Sequence, residues 1–361
     1  LAVKNRPWVN LLTALLGLYL FFLAIELLGS GLKLLGEKTV EKLILATNNP
    51  FSGLFIGILT TSLVQSSSAI TSIVVGMVGA KVLHLRNAIP IIMGANIGTT
   101  VTNTLVALTT LSSSQRLSRI FPSAVVHDFF NLLSVLLFFP LEISFHLIER
   151  LSFFLTELFK NVGGVYLVSP LKVIINPVAH PLSSLLNSFP VILLILSLLF
   201  LFFGLKVLVD NTRRLISGEM EILLDRYIFG SPAKSFLLGL FFTAIIQSSS
   251  VTTSLIIPLV AVGLLDVIKV YPYTLGANIG TTVTAILASF ITGSPLAIQI
   301  AFSHLLFNLL GCGVWYPLRV LPIFFANQLG RLVGKRRIWA IVYVLAVFYL
   351  LPILLIIIIR R

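Results

Sequence analysis

Gln65-Ser66-Ser67-Ser68 sets four polar side chains in a row inside an otherwise apolar segment, and the same four return as Gln247-Ser248-Ser249-Ser250. A second shared block follows each at the same distance: Gly94-Ala95-Asn96-Ile97-Gly98-Thr99-Thr100-Val101-Thr102 recurs as Gly276-Ala277-Asn278-Ile279-Gly280-Thr281-Thr282-Val283-Thr284. Serine hydroxyls rotate to donate or accept, and glutamine and threonine oxygens suit a hard cation such as sodium. A helix that starts at the serines presents free N–H groups and roughly half a positive charge, which suits an anion. Two such starts could grip a tetrahedral oxyanion. Neither block contains Lys or Arg, so a doubly charged anion there needs bound cations, a physical reason for cation coupling. Serine and glycine patches also let helices pack closely. Duplication of both blocks at one spacing favours the functional reading over packing alone.

Single residues add to this pattern. Asp128 lies inside an apolar run, where an ionisable group is a functional-site hypothesis by default. The related stretch His304-Leu305-Leu306-Phe307-Asn308 echoes His127-Asp128-Phe129-Phe130-Asn131 but has Leu305 in place of the acid. Asp128 could complete an extra cation site; a structural hydrogen bond to His127 or Asn131 is the alternative. His127 and His304 read as packing or hydrogen-bonding residues, and Glu26 and Lys206 as groups that snorkel to the interface. No nucleophile elbow, zinc-spaced histidine pair or P-loop occurs, and the serines have no partnered base at a recognisable spacing. The chain is therefore not read as an enzyme, and no catalytic residue or cofactor is expected.

These residues must be positioned by membrane helices. The 361 residues are 57% hydrophobic and 10% charged, against about 25% charged in a soluble domain. Runs such as Leu11–Leu28, Val191–Val209 and Ile338–Ile359 can cross a hydrocarbon core of about 30 Å. The net charge of +13 sits at span ends, as in Arg213-Arg214 and Lys335-Arg336-Arg337. That fits cytoplasmic loops on a lipid bilayer and not a nucleic-acid partner. No cleavable signal peptide is apparent. Cys312 is the only cysteine and no Asn-x-Ser/Thr acceptor occurs; both fit a bacterial inner membrane.

Spans are expected near 8–32, 88–111, 120–141, 190–210, 270–291, 296–317 and 338–359, with amphipathic connectors at 36–48 and 213–227. The apolar arm from Gly53 to Val64 is about 18 Å long as a helix, too short to span. Residues 51–80 are then either one helix with a polar midpoint or a re-entrant hairpin with its tip at the serines. The hairpin is preferred, because non-helical backbone at membrane depth needs a cavity to line. Residues 232–263 read the same way. Two glycines within five residues weaken a helix, so spans 88–111 and 270–291 are expected to be broken, the first near Asn96. Three crossings between the serine clusters make the repeats inverted. The expected fold is all-α and integral to the membrane. Two inverted-topology repeats, 1–141 and 190–330, flank a connector at 142–189, and an unpaired span closes the chain within 331–361. Broken helices at a repeat interface are secondary-transporter architecture. A cytoplasmic N-terminus puts Arg116, Arg119, Arg213, Arg214, Arg226, Lys234, Lys269 and Lys335-Arg336-Arg337 inside.

At these residues the chain resembles the type II sodium-dependent phosphate cotransporters, as a compact member. The resemblance rests on both Gln-Ser-Ser-Ser copies, on Ile89-Pro90-Ile91-Ile92-Met93-Gly94-Ala95-Asn96-Ile97-Gly98-Thr99 and on Val126-His127-Asp128-Phe129-Phe130-Asn131. Trp315-Tyr316-Pro317 and Arg337-Ile338-Trp339-Ala340-Ile341-Val342-Tyr343 extend it. It implies coupled uptake of sodium ions and inorganic phosphate across the plasma membrane by alternating access. By the resemblance, Gln247, Ser248, Thr281 and Thr284 match sodium-binding positions, and Asp128 matches the acid of electrogenic members, implying an additional sodium and divalent phosphate. The tip serines Ser66, Ser67, Ser68, Ser248, Ser249 and Ser250 match the proposed phosphate site. The internal repeat extends phosphate binding to Asn96 and Asn278, and sodium binding to Gln65 and Thr99; Asn131 joins Asp128. The long glycosylated, disulfide-bonded loop of animal members is here the short, cysteine-free 142–189. Transport of sulfate or a dicarboxylate, and a passive anion channel, remain competing readings.

Overall fold

A computed structural model describes residues 7–34, 49–109, 114–161, 169–216, 231–261 and 263–359. Every regular element among the described residues is helical. Six helices there are long and apolar enough to cross a membrane: 8–28, 117–145, 190–208, 267–292, 295–315 and 338–359. The expected connector at 36–48 and most of that at 213–227 lie outside the described residues, as do Lys4, Arg6, Arg226, Arg360 and Arg361.

The first half runs α1 (Pro7–Leu34), α2 (Pro50–Val64), α3 (Ser67–Gly79), α4 (Leu85–Thr99), α5 (Val101–Thr109) and α6 (Ser114–Phe145). The connector forms α7 (Leu147–Asn161) and α8 (Ser169–Leu185). The second half follows as α9 (Pro190–Ile216), α10 (Pro232–Ile246), α11 (Ser249–Ser254), α12 (Ile257–Ala261), α13 (Val267–Thr292) and α14 (Pro295–Trp315). It continues through α15 (Val320–Lys335), and the chain closes with α16 (Ile338–Leu345), a π-helical turn at Ala346–Leu350 and α17 (Leu351–Ile359).

Local signals explain several ends. Asn49 caps α2 by accepting the Phe51 N–H at 2.9 Å, with Pro50 in the first turn where its missing N–H costs nothing. The buried Glu142 carboxylate accepts the Ile148 N–H at 2.6 Å and so caps α7. α15 was not expected from the sequence. It lies antiparallel along α6, with Gly330 against Pro122 and Gly334 against Ser118.

The direction of α2 relative to α4 decides the path of 51–80. Gly57 of α2 lies against Ile91 and Ala95, Gly94 of α4 against Leu54 and Ile58, and Gly98 against Ile58 and Thr61. The partners advance together along both helices, so α2 and α4 run parallel. One straight helix over 51–80 would deliver α4 antiparallel to α2. The chain therefore turns back between them, and α3 is the return leg. The second half repeats this: Gly276 lies against Phe236 and Leu240, Gly239 against Tyr273 and Ala277, and Gly280 against Leu240 and Thr243. The leading helices α1 and α9 pack antiparallel, with Gly17 against Gly204 and Leu208, and Gly31 against Leu194.

The expected broken spans need correction. α13 runs unbroken from Val267 to Thr292, straight through Asn278. In the first half the interruption falls at Thr100, not at Asn96, which is buried inside α4. There the Thr100 N–H bonds the Ile97 carbonyl at 3.2 Å, a tighter i to i−3 turn. The glycines of the shared block do not unwind these helices. They let α2 touch α4 and α10 touch α13: a Cβ on Gly98 or on Gly280 would sit 2.6 Å from the Ile58 or Leu240 carbonyl oxygen. Propensity favoured a break; contact between the parallel helices made the glycines packing residues instead.

Candidate functional site

Each Gln-Ser pair is a junction between two helices. Gln65 ends α2 in the left-handed region, at φ 56° and ψ 30°, and its N–H bonds the Thr61 carbonyl at 2.7 Å. Ser66 is extended and caps α3 by accepting the Ala69 N–H at 3.2 Å. Gln247 and Ser248 repeat this, with φ 62° at Gln247, its N–H on the Thr243 carbonyl at 2.7 Å, and the Ser248 hydroxyl accepting the Val251 N–H at 3.3 Å. A left-handed C-cap followed at once by an N-cap is how this sequence breaks one helix and begins the next.

The two junctions meet across the halves. Ser68 donates to the Gln247 carbonyl at 2.9 Å, and Ser250, its equivalent, donates to the Thr99 carbonyl at 3.3 Å. Thr284 donates to the Gln247 side-chain oxygen at 2.7 Å and lies 3.4 Å from the Ser68 hydroxyl. Thr253, just past the second tip, donates to the Asn103 side chain at 2.9 Å. Each serine cluster thus sits on the glycine-rich helical segment of the opposite half. The equivalents differ in exposure: Gln247 is 5% exposed, whereas Gln65 lies at the surface.

The other expected residues fall into groups. Ser67, Ser68 and Ser249 are buried, Ser66, Ser248 and Ser250 half-buried. The Ser249 hydroxyl has no partner, and the same is true of the buried hydroxyls of Thr61 and Thr243, equivalent positions one turn before each glutamine. Buried polar atoms without partners are rare; Thr61 and Thr243 face the glycine-rich helices, against Gly98 and Gly280, close to each junction. Thr99 and Thr281 bond back to the Ala95 and Ala277 carbonyls of their own helices at 2.8 and 3.1 Å.

Asn96, Asn131 and Asn278 form a clasp, joined by Asn308 of the stretch that echoes His127–Asn131. Asn131 donates to the Asn96 carbonyl at 2.7 Å, and Asn308 to the Asn278 carbonyl at 3.1 Å. Asn278 donates to the Asn131 and Asn308 side-chain oxygens at 3.0 and 3.2 Å, tying the halves together. His304 lies 3.3 Å from the Asn96 side-chain oxygen, and His127 lies beside Asn278. Both histidines are thus buried beside the asparagines, while His127 Nε2 and His304 Nδ1 have no partner. Asn131 also takes over the Asn96 carbonyl that Thr100 leaves at the interruption.

Asp128 is fully buried and bonds neither His127 nor Asn131. Its Oδ2 accepts the Tyr343 hydroxyl at 2.9 Å and the Thr104 hydroxyl at 3.4 Å, while Oδ1 has no partner. Tyr343 comes from the closing span, and no periodicity points from residue 343 to residue 128. Thr61 and Thr243 could have been found, because they recur at the same place in both copies.

A family model described as Na+/Pi-cotransporter matches residues 20–153 and 199–335, which hold both junctions, both glycine-rich blocks and Asp128. The chain belongs to that family. Sodium-dependent phosphate transport protein 2B of Homo sapiens is 34% identical over 95% of this chain and 64% of its own length; its Pongo abelii counterpart has the same figures. Sodium-dependent phosphate transport protein 2A of Rattus norvegicus is 34% identical over 93% of this chain and 65% of its own. The chain thus spans a little under two thirds of the length of these relatives. No solved structure matches it.

Proposed function

We propose that this family member is a sodium-coupled symporter that imports inorganic phosphate across the cell membrane by alternating access. The observation that carries the reading is the reciprocal contact of the two serine clusters, in which Ser68 and Ser250 each reach the opposite half. A ligand between the tips would be held by both halves at once. The names of the relatives supply the substrate class. The serines at 66–68 and 248–250 bind phosphate, and Gln65, Gln247, Ser248, Thr99, Thr281 and Thr284 offer oxygens to sodium. Asp128 holds one further sodium, so transport of divalent phosphate moves net charge. Asn96, Asn131 and Asn278 hold the helices that frame the site. The chain does no covalent chemistry, and sodium is cargo.

Parallel packing of α2 on α4, and of α10 on α13, supports two re-entrant hairpins. Antiparallel packing of α1 on α9 supports their entry from opposite faces. With the N-terminus cytoplasmic, the first hairpin enters from outside. One exposed and one buried glutamine at equivalent tips is what a single conformer of an alternating-access carrier offers.

The test is phosphate uptake into proteoliposomes under an inward sodium gradient, with current recorded. Uptake indifferent to sodium refutes the coupling. Competition by sulfate or dicarboxylates separates the oxyanions, and accumulation against a phosphate gradient separates a carrier from a channel.

A further inference from the structure

We propose that Tyr343, with Thr104, completes the cation site at Asp128, so that a helix belonging to neither repeat holds one of the transported sodium ions. This rests on the symport reading for its transport consequence, but not for binding itself. Three features converge here: the acid, where the second half has Leu305; the interruption at Thr100, where α13 is continuous; and the hydrogen bond from α16. The tyrosine of the span at 338–359 lands on the acid, where the second half has Leu305.

The chemistry fits a cation. Among the described residues no Lys or Arg pairs with Asp128, and the carboxylate is wholly buried. A buried carboxylate without a counter-charge is costly. Its Oδ1 is unpartnered, and the hydroxyls of Thr104 and Tyr343 both approach Oδ2. A hydroxyl that donates to a carboxylate keeps its lone pairs, so each can also serve a hard cation. The Tyr343 ring is fixed by stacking on Phe129 at 6.3 Å and by an edge contact with Phe348 at 5.9 Å. Phe348 lies in the π-helical turn, a local form frequent at functional sites. From the same turn the Tyr349 hydroxyl donates to the Ser62 carbonyl at 3.1 Å, in the last turn of α2 before Gln65. One short stretch therefore touches both the acid and the arm of the first tip.

The test uses the purified full chain without phosphate. Sodium-dependent thermal stabilisation is titrated against choline in the parent, Tyr343→Phe, Asp128→Asn and the double variant. The Asp128-dependent part of the curve is expected to need about tenfold more sodium in Tyr343→Phe, the range found when a group supporting a metal ligand is removed. The double variant is expected to match Asp128→Asn. A Tyr343→Phe midpoint equal to the parent's overturns the proposal, as does a fixed drop in melting temperature that is the same with and without Asp128. Reconstituted Tyr343→Phe is expected to lose charge per phosphate at low sodium and regain it at high sodium, which a purely structural role would not produce. Sodium binding with this pattern in a chain that moves no phosphate refutes the transport reading and leaves the site standing.

Discussion

Replacing Gly98 or Gly280 by alanine decides whether the glycines of the duplicated block weaken helices or join them. A Cβ at either position would lie 2.6 Å from a carbonyl oxygen of the parallel neighbour, where ordinary contact begins at 3.4 Å. The backbones must therefore separate by about 0.8 Å along the arm that leads to the tip. Overpacking of this kind costs about 1–3 kcal/mol, and the gain in helix propensity from Gly to Ala returns only about 1 kcal/mol. A net loss of up to about 2 kcal/mol is expected at each site. The two losses should be alike, because the geometry is the same in both halves. Gly313→Ala in α14 is the control: a Cβ there meets nothing within 4 Å, so only the propensity gain remains. The assay is thermal unfolding of the purified chain in detergent. If Gly98→Ala and Gly280→Ala melt at or above Gly313→Ala, the close-approach argument is refuted and the glycines serve local flexibility.

Ser68→Ala and Ser250→Ala each remove one hydrogen bond between the halves, about 0.5–1.5 kcal/mol. Both are expected to raise the half-saturating phosphate concentration in uptake, while alanine at the exposed Ser183 leaves it unchanged. Asn131→Leu strands the Asn96 carbonyl and one Asn278 donor, so it should destabilise by more than either serine change, about 1–3 kcal/mol for each stranded group. Asp128→Gly is expected to abolish net charge movement while uptake survives; unchanged current per phosphate would remove its role. Arg86→Ala opens an ion pair to Glu149 whose arginine side chain is 66% exposed, and it should change stability by less than about 1 kcal/mol in unfolding.

Duplication made the candidate site legible in the sequence. Two polar tetrads and two glycine-rich blocks at one spacing located both junctions, and the short apolar arm before each suggested the turn-back with which the parallel packing of α2 and α4 is consistent. The acid at 128 stood out because its partner segment has leucine. What stayed hidden was set by contacts between distant elements. The glycines looked like helix breakers because their neighbours, Leu54 and Phe236, lie about forty residues away on another helix. Thr100 and not Asn96 marks the interruption, because the carbonyl freed there is claimed by Asn131 on α6. Tyr343 carries no local signal and matters only for what it reaches, whereas Asn308 is marked by its echo of Asn131.

The two glutamines carry a consequence for how far this fold can be stabilised. Both adopt a left-handed backbone that costs a side-chain-bearing residue about 1–2 kcal/mol and costs glycine nothing. Glycine would be the easier residue at either position. Gln247 spends its amide on Thr284, but the Gln65 amide makes no hydrogen bond among the described residues. Gln65→Gly should therefore make the chain harder to unfold and poorer at transport. On the proposed role of Gln65 at the sodium site, the first tip trades stability for transport, and a screen for thermostable variants would tend to select against the working protein.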